Sequence, residues 1–252
     1  MKLKLGCLRQ FIKLFGIHKG FKLYFNISRD KFNPIEIPGI ALPIKLRKET
    51  SDLRTFYQVF VNNEYDIKVP FDPKIIIDGG ANIGLFSILI SNRFPQSKII
   101  AIEPDSENFK LLEHNLSGYP TVSCENAGIW SKNTSLKVYD KFDSGSWGMV
   151  VEESPTGNVN AISIDHIIDK YSIDFIDILK LDIETSELVL FTENYENWLP
   201  KTKMIIIELH DWLQEGCSKT FFKAINQIIS NYELITSGEN IIIINKDLLQ
   251  SS

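Results

Sequence analysis

From Pro73 onward the chain consists of short unbroken apolar runs, each closed by an acidic or small residue and separated by amphipathic stretches of helix length. A strand buried on both faces reads this way, because no position faces water and the usual alternation disappears. The runs are Lys74–Ile77, Lys98–Ile102, Thr121–Cys124, Asp177–Leu181 and Lys203–Leu209. Between them the pattern predicts helices over Ile83–Phe94, Ser106–Leu116, Ser186–Glu193 and Lys219–Ile229. A final pair of runs, Tyr232–Thr236 and Asn240–Asn245, is joined through Ser237, Gly238 and Glu239 and predicts an antiparallel hairpin. The whole pattern predicts an α/β fold, a doubly wound, Rossmann-like and mostly parallel seven-stranded sheet that closes in that hairpin.

Two regions depart from the alternation. Residues 131–159 are rich in Gly, Ser and Asn around a single Trp147, and predict an inserted β-arm or loop over the binding face. Ahead of the domain, residues 1–70 form an extension and the domain itself is expected over 71–252. Within the extension, Ile35 to Leu46 is short, β-rich and broken by Pro38, Gly39 and Pro43, as in a small hairpin. A helix is expected from Ser51 and Asp52 to about Asn62, giving a lid-like segment. The first 29 residues carry Lys2, Lys4, Arg9, Lys13, Lys19, Lys22 and Arg29 with no acid, interleaved with Leu, Ile and Phe. Such a segment usually lies across its own domain, and it leaves peripheral contact with an anionic membrane open.

Composition narrows the function. With 252 residues and 44% hydrophobic content the chain can enclose a full core without a disulfide or metal. Its formal net charge of −5 argues against nucleic acid as a partner, since phosphate backbones are met by clustered Lys and Arg. The three cysteines, Cys7, Cys124 and Cys217, fit no zinc spacing and suit a reducing, cytoplasmic setting. No apolar run approaches the roughly 18 residues needed to span a bilayer, and no leader with a cleavage site is apparent.

The first strand of the sheet runs into Asp78-Gly79-Gly80-Ala81-Asn82-Ile83-Gly84, a strand-to-helix turn of small residues. Glycine there allows positive φ and close approach of backbone to a ligand, and free amides at the helix start favour an anionic group. The dinucleotide fingerprint fits badly, because Ala81 falls where a pyrophosphate needs bare backbone. The spacing that fits is acid-x-Gly-x-small-x-Gly, through Asp78, Gly80, Asn82 and Gly84. An acid at that place repels a pyrophosphate and suits an ammonium or a sulfonium, both of which S-adenosylmethionine carries. Glu103, followed by Pro104 and Asp105 at the end of the second strand, is placed for the ribose hydroxyls. Asn126 and Ala127, after the third strand, are expected to border the adenine.

Read together, these residues resemble the FkbM-type methyltransferases, class I S-adenosylmethionine enzymes that often O-methylate sugars, polysaccharides and natural products. The resemblance rests on the glycine loop, on Ala101-Ile102-Glu103-Pro104-Asp105, and on Asn126-Ala127-Gly128. It continues through Ile164-Asp165, Leu179-Lys180-Leu181-Asp182-Ile183-Glu184-Thr185-Ser186-Glu187 and Ile206-Ile207-Glu208-Leu209-His210. One position departs from the family: Thr185 stands where glycine is usual. The resemblance implies S-adenosylmethionine as cofactor and a small-molecule or glycan hydroxyl as acceptor.

Catalytic side chains of an open α/β sheet gather beyond the carboxyl ends of its strands. That singles out Asp182 and Glu184 after the fourth strand, with Glu208 and His210 at the fifth. His210 is the expected general base, Asp182 the group that orients the acceptor or the methionine amine, and Glu208 their catalytic companion. Glu184 and Trp147 are expected on the acceptor side. Carboxylates with one imidazole also suit Mg²⁺ or Mn²⁺, but strand-end carboxylates need no ion and no metal site is assigned. Two other readings remain at this point: a nicotinamide-dependent oxidoreductase, and a non-catalytic fold relative that binds a partner through the insertion.

Overall fold

The computed structural model describes residues 5–29, 34–140 and 149–249. Two helices, α1 (Leu5–Phe15) and α2 (Ile17–Ser28), open the chain, followed by an isolated bridge between Ile35 and Ile44. The helix expected near residues 51–62 begins as α3 (Asp52–Phe56) and widens into a π-helical turn over Tyr57–Val61. The domain then alternates β1 (Ile75–Gly79), α4 (Leu85–Arg93), β2 (Lys98–Ile102), α5 (Ser106–Leu116) and β3 (Val122–Glu125). Four strands follow: β4 (Gly128–Trp130), β5 (Thr134–Asp140), β6 (Met149–Glu153) and β7 (Val159–Ser163). The alternation resumes with α6 (Ile164–Tyr171), β8 (Ile176–Leu181), α7 (Glu187–Leu190), a 3₁₀ turn at Leu199–Lys201, β9 (Thr202–Glu208) and α8 (Cys217–Ile228). The chain closes with β10 (Tyr232–Ser237), β11 (Asn240–Asn245) and α9 (Lys246–Leu249).

Seven strands form the main sheet in the order β10-β11-β9-β8-β1-β2-β3. The five central strands are parallel, while β11 runs antiparallel between β9 and β10. Alternation along these strands divides the core in two. Ile76, Ile99, Ile178 and Met204 face the layer made by α1, α2, α4 and α5. Ile77, Ile100, Leu179 and Ile205 face α6 and α8 on the other side. The first layer also takes in Phe11, Leu23, Leu46 and Phe60, so the segment before the glycine loop packs on the same sheet. Helix α5 starts where the Asp105 carboxylate accepts from the amides of Glu107 and Asn108, and α6 where Ser163 accepts from His166. The predicted 186–193 helix shortens to α7 mainly at its end, where Phe191 leaves helical geometry and Asn194 takes a positive φ.

The interruption in the alternation is a second sheet of four strands, ordered β4-β7-β5-β6. Chain order in the main sheet reverses between β1 and β8, and a crevice at such a reversal is where open α/β sheets bind ligands.

Candidate functional site

At the carboxyl end of β1 the chain turns sharply under the neighbouring strand. The amides of Gly80 and Ala81 both donate to the Ile102 carbonyl, at 3.0 and 2.9 Å, and the Asp182 amide donates to the Gly79 carbonyl at 3.0 Å. Gly80, Asn82 and Gly84 alternate through positive φ, at 69°, 50° and 87°. Gly80 admits no side chain, because a Cβ would sit 1.7 Å from the Asp182 carbonyl oxygen. The turn therefore presents bare backbone to a cavity of about 720 Å³ at the strand ends. Gly80, Asn82, Glu103, Pro104, Asn126 and Asp182 line that cavity. Its outer walls come from the extension, through Arg47 and Ser51, and from the second sheet, through Leu136 and Val159.

Glu103 is held rigidly. Its Oε2 accepts from the Asn82 amide at 2.8 Å and its Oε1 from the Asp105 amide at 2.9 Å. Burial raises its pKa to about 7, against the opposing pull of those amide donors. The Asn126 side-chain nitrogen donates to the Glu103 carbonyl at 2.9 Å and to that of Pro104 at 3.2 Å, so it braces the turn while facing the cavity.

Asp78 does not stand where the sequence pattern puts it. Instead of facing a ligand cation, its carboxylate is fully buried beneath the loop, accepting from Ser87 Oγ at 2.7 Å, with Lys180 Nζ 3.3 Å away. The register of β1 on β8 sets Asp78 beside Lys180, so the charge is answered from within the protein. Burial works against the Lys180 ammonium, but Asp78 and Asp182 hold its pKa above the ordinary lysine value. Its Nζ also donates to the Gly80 carbonyl at 2.8 Å, tying the pair to the loop. Ala127 also differs from expectation: its side chain is buried in the core with Ile129 rather than turned to the cavity. Gly79 and Gly84 serve the turn. A Cβ on Gly79 would strike Ile129 Cδ1 at 2.4 Å, and Gly84 starts α4 from the left-handed region.

Asp182 also belongs to a second group, which extends beyond the cavity. His210 Nε2 lies 3.7 Å from Asp182 Oδ1 and 3.5 Å from Glu208 Oε1, and its Nδ1 meets Glu187 Oε1 at 2.7 Å. Burial would lower the His210 pKa, but the Glu187 bond and the surrounding carboxylates raise it to about 9. That direction favours the protonated imidazole at neutral pH, the opposite of what its expected part as general base requires. Burial, reinforced by Asp182, raises the pKa of both Glu208 and Glu184 to about 7. Asp182, Glu208 and His210 offer ligand atoms within 4.8 Å of one another, a donor set that suits a divalent ion. Lys180 Nζ already lies 3.9 Å from Asp182, and His210 would have to give up its proton to serve as a ligand.

Trp147 lies outside the described residues. Two functional neighbours escaped the sequence reading. Lys180 had a signal, an isolated cation in the apolar run Ile178-Leu179-Lys180-Leu181, since a buried lysine requires a partner. Glu187 stood in the same family-like motif, but an acid in the first turn of a helix is ordinary and gave no sign of its partner.

The methyltransferase FkbM domain model matches residues 78–234. Methyltransferase 1 of Beauveria bassiana is 26% identical over 185 residues, covering 61% of this chain and 72% of that protein. A stretch of the AMB antimetabolite synthetase AmbE of Pseudomonas aeruginosa is 25% identical over 199 residues, 62% of this chain and 9% of that protein. The crystal structure of a methyltransferase FkbM from Methylobacillus flagellatus KT superposes with a TM-score of 0.51 at 15% identity, a likeness of fold. The chain is covered over 95% of its length by that structure and spans 58% of it.

Proposed function

The chain belongs to the FkbM methyltransferase family, and from that premise we propose that it methylates a hydroxyl on a sugar, a polysaccharide precursor or a natural product, with S-adenosylmethionine as donor. The observation that carries this reading is one crevice with a bare-backbone turn and a buried carboxylate on one wall, and a carboxylate-imidazole group reached through Asp182.

The cavity suits the cofactor on three counts. Gly80 brings bare backbone to the cavity wall, Glu103 once ionised is an acceptor-only group matched to two ribose hydroxyls, and Asn126 with Pro104 lines the wall beside it. When bound, S-adenosylmethionine supplies an electrophilic methyl group on a cationic sulfur. Since Asp78 is paired with Lys180, we assign Asp182 and Glu184, two of the acids on the cavity wall, to face that cation.

An acceptor hydroxyl must give up its proton as it is alkylated. Glu208, with a pKa raised to about 7, has the proton affinity of a base at neutral pH and takes that proton on its carboxylate. The protonated His210, anchored by Glu187, orients Glu208 and Asp182 and removes no proton itself. Trp212 is 69% exposed, with its ring 6.3 Å from that of His210, and offers a flat apolar face to a sugar ring. The match to part of an antimetabolite synthetase supports the natural-product branch of the reading.

Calorimetric titration with S-adenosylmethionine and S-adenosylhomocysteine tests the cofactor half. Binding of both by the wild type and much weaker binding by Glu103→Gln are expected; a folded protein silent toward both compounds refutes the proposal. Labelled S-adenosylmethionine with glycan and small-molecule fractions then tests transfer. Cofactor binding with no label passed to any hydroxyl compound would leave a binding protein in place of the enzyme.

A further inference from the structure

We propose that the paired helices α1 and α2 form a docking surface for an anionic lipid membrane. The pair is a fixed part of the body. Gly20 of α2 lies so close to α1 that a Cβ there would come within 2.3 Å of the Phe11 carbonyl oxygen. One side of the pair is buried, with Phe11, Leu23, Tyr24 and Ile27 sunk into the core layer under the sheet. What remains outside is therefore presented in a set arrangement.

That outer side is basic and apolar at once. Arg9, Lys13, Lys19 and Lys22 are exposed, and Ile17 and Phe21, one helical turn apart, are 70% and 48% exposed. Residues 5–29 contain no acid, in a chain whose net charge is −5. Among the described residues, the acid that answers these cations is Glu36, 3.8 Å from Lys22, and both side chains remain largely in water. Large side chains that can enter the acyl boundary, and exposed cations on the same helix pair that hold to anionic headgroups, are the two attributes of an interfacial helix. Among the described residues no helix is long and apolar enough to cross a membrane, so the contact is peripheral.

The test is co-sedimentation of the protein with vesicles of phosphatidylcholine alone or with about a third phosphatidylglycerol. Binding is expected to the anionic vesicles only, and to fall as salt rises. At about fivefold per cation, Lys19→Gln with Lys22→Gln should weaken it roughly 25-fold. Ile17→Ser with Phe21→Ser should weaken it as well, and because these residues are exposed, the thermal melting of both double variants should match wild type. No binding to anionic vesicles, equal binding to neutral ones, or variants that bind like wild type would each overturn the proposal. So would a wild-type dimer in sedimentation velocity that Ile17→Ser with Phe21→Ser dissolves, because the apolar pair would then belong to a second copy of the chain. Equal affinity for a DNA duplex would also overturn it, because the basic side would then select polyanions in general.

Discussion

Glu103 is in conflict between stability and binding, and its replacement by Gln separates the two. Raising its carboxyl from an ordinary 4.5 to about 7 by burial corresponds to about 3 kcal/mol of differential stability between protonation states. The sign follows from linkage. A raised folded-state pKa means that the native state holds a proton the unfolded chain has released, so the contribution is complete below about 4.5 and is lost as pH rises through about 7. Glutamine cannot titrate. Its amide also cannot accept from both the Asn82 and Asp105 amides, which costs about 1 to 2 kcal/mol at every pH. That fixed loss cancels when stabilities are compared across pH. Urea denaturation of both proteins without ligand at pH 5, 6, 7 and 8 should therefore show Glu103→Gln gaining on wild type by about 2.5 kcal/mol over the series. Affinity for S-adenosylmethionine should fall in the same variant at pH 8, where wild type presents a carboxylate to the ribose. Parallel stability curves, with a constant gap between the proteins, would refute the argument that burial governs this carboxyl.

Asp78→Asn leaves the Lys180 ammonium buried and short of a partner, and should destabilise the protein by about 3 kcal/mol or more in urea titration, whereas Asp78→Leu combined with Lys180→Met should recover much of that loss. Thr185 holds φ of 72° with a branched side chain; Thr185→Gly should raise stability by about 1 kcal/mol, and a clear loss would show that its packing outweighs backbone strain. Methyl transfer should rise with pH through about 7 as Glu208 loses its proton and decline near 9 as His210 loses the charge that orients its neighbours. With S-adenosylmethionine saturating at every pH, so that the ionisation of Glu103 drops out, Glu208→Gln should abolish the rising limb of the rate profile, and a limb that survives in that variant assigns the base elsewhere.

Much of the architecture was legible along the chain because it depends on near neighbours. Apolar runs such as Lys98–Ile102 and the hairpin around Gly238 report burial and turn chemistry residue by residue, and the observed strands follow them closely. The glycine loop was equally legible, since positive φ at Gly80 and Gly84 is a demand on those residues alone. The family pattern even marked Thr185 as irregular, and its backbone lies in the left-handed region that glycine occupies without strain. Which carboxylate lines the cavity and which is spent inside the protein was decided by tertiary structure. Asp78 and Glu103 look alike as strand-end acids, but the register that sets Lys180 against Asp78 buries one and leaves the other on the cavity wall. Burial would lower the His210 pKa, and it is Glu187, packed from another element against its Nδ1, together with Asp182 and Glu208, that raises it. Strand order brings such charges together from far along the chain, and burial removes the water that would otherwise screen them. A proton affinity set by those two conditions has no counterpart in the local pattern of the chain.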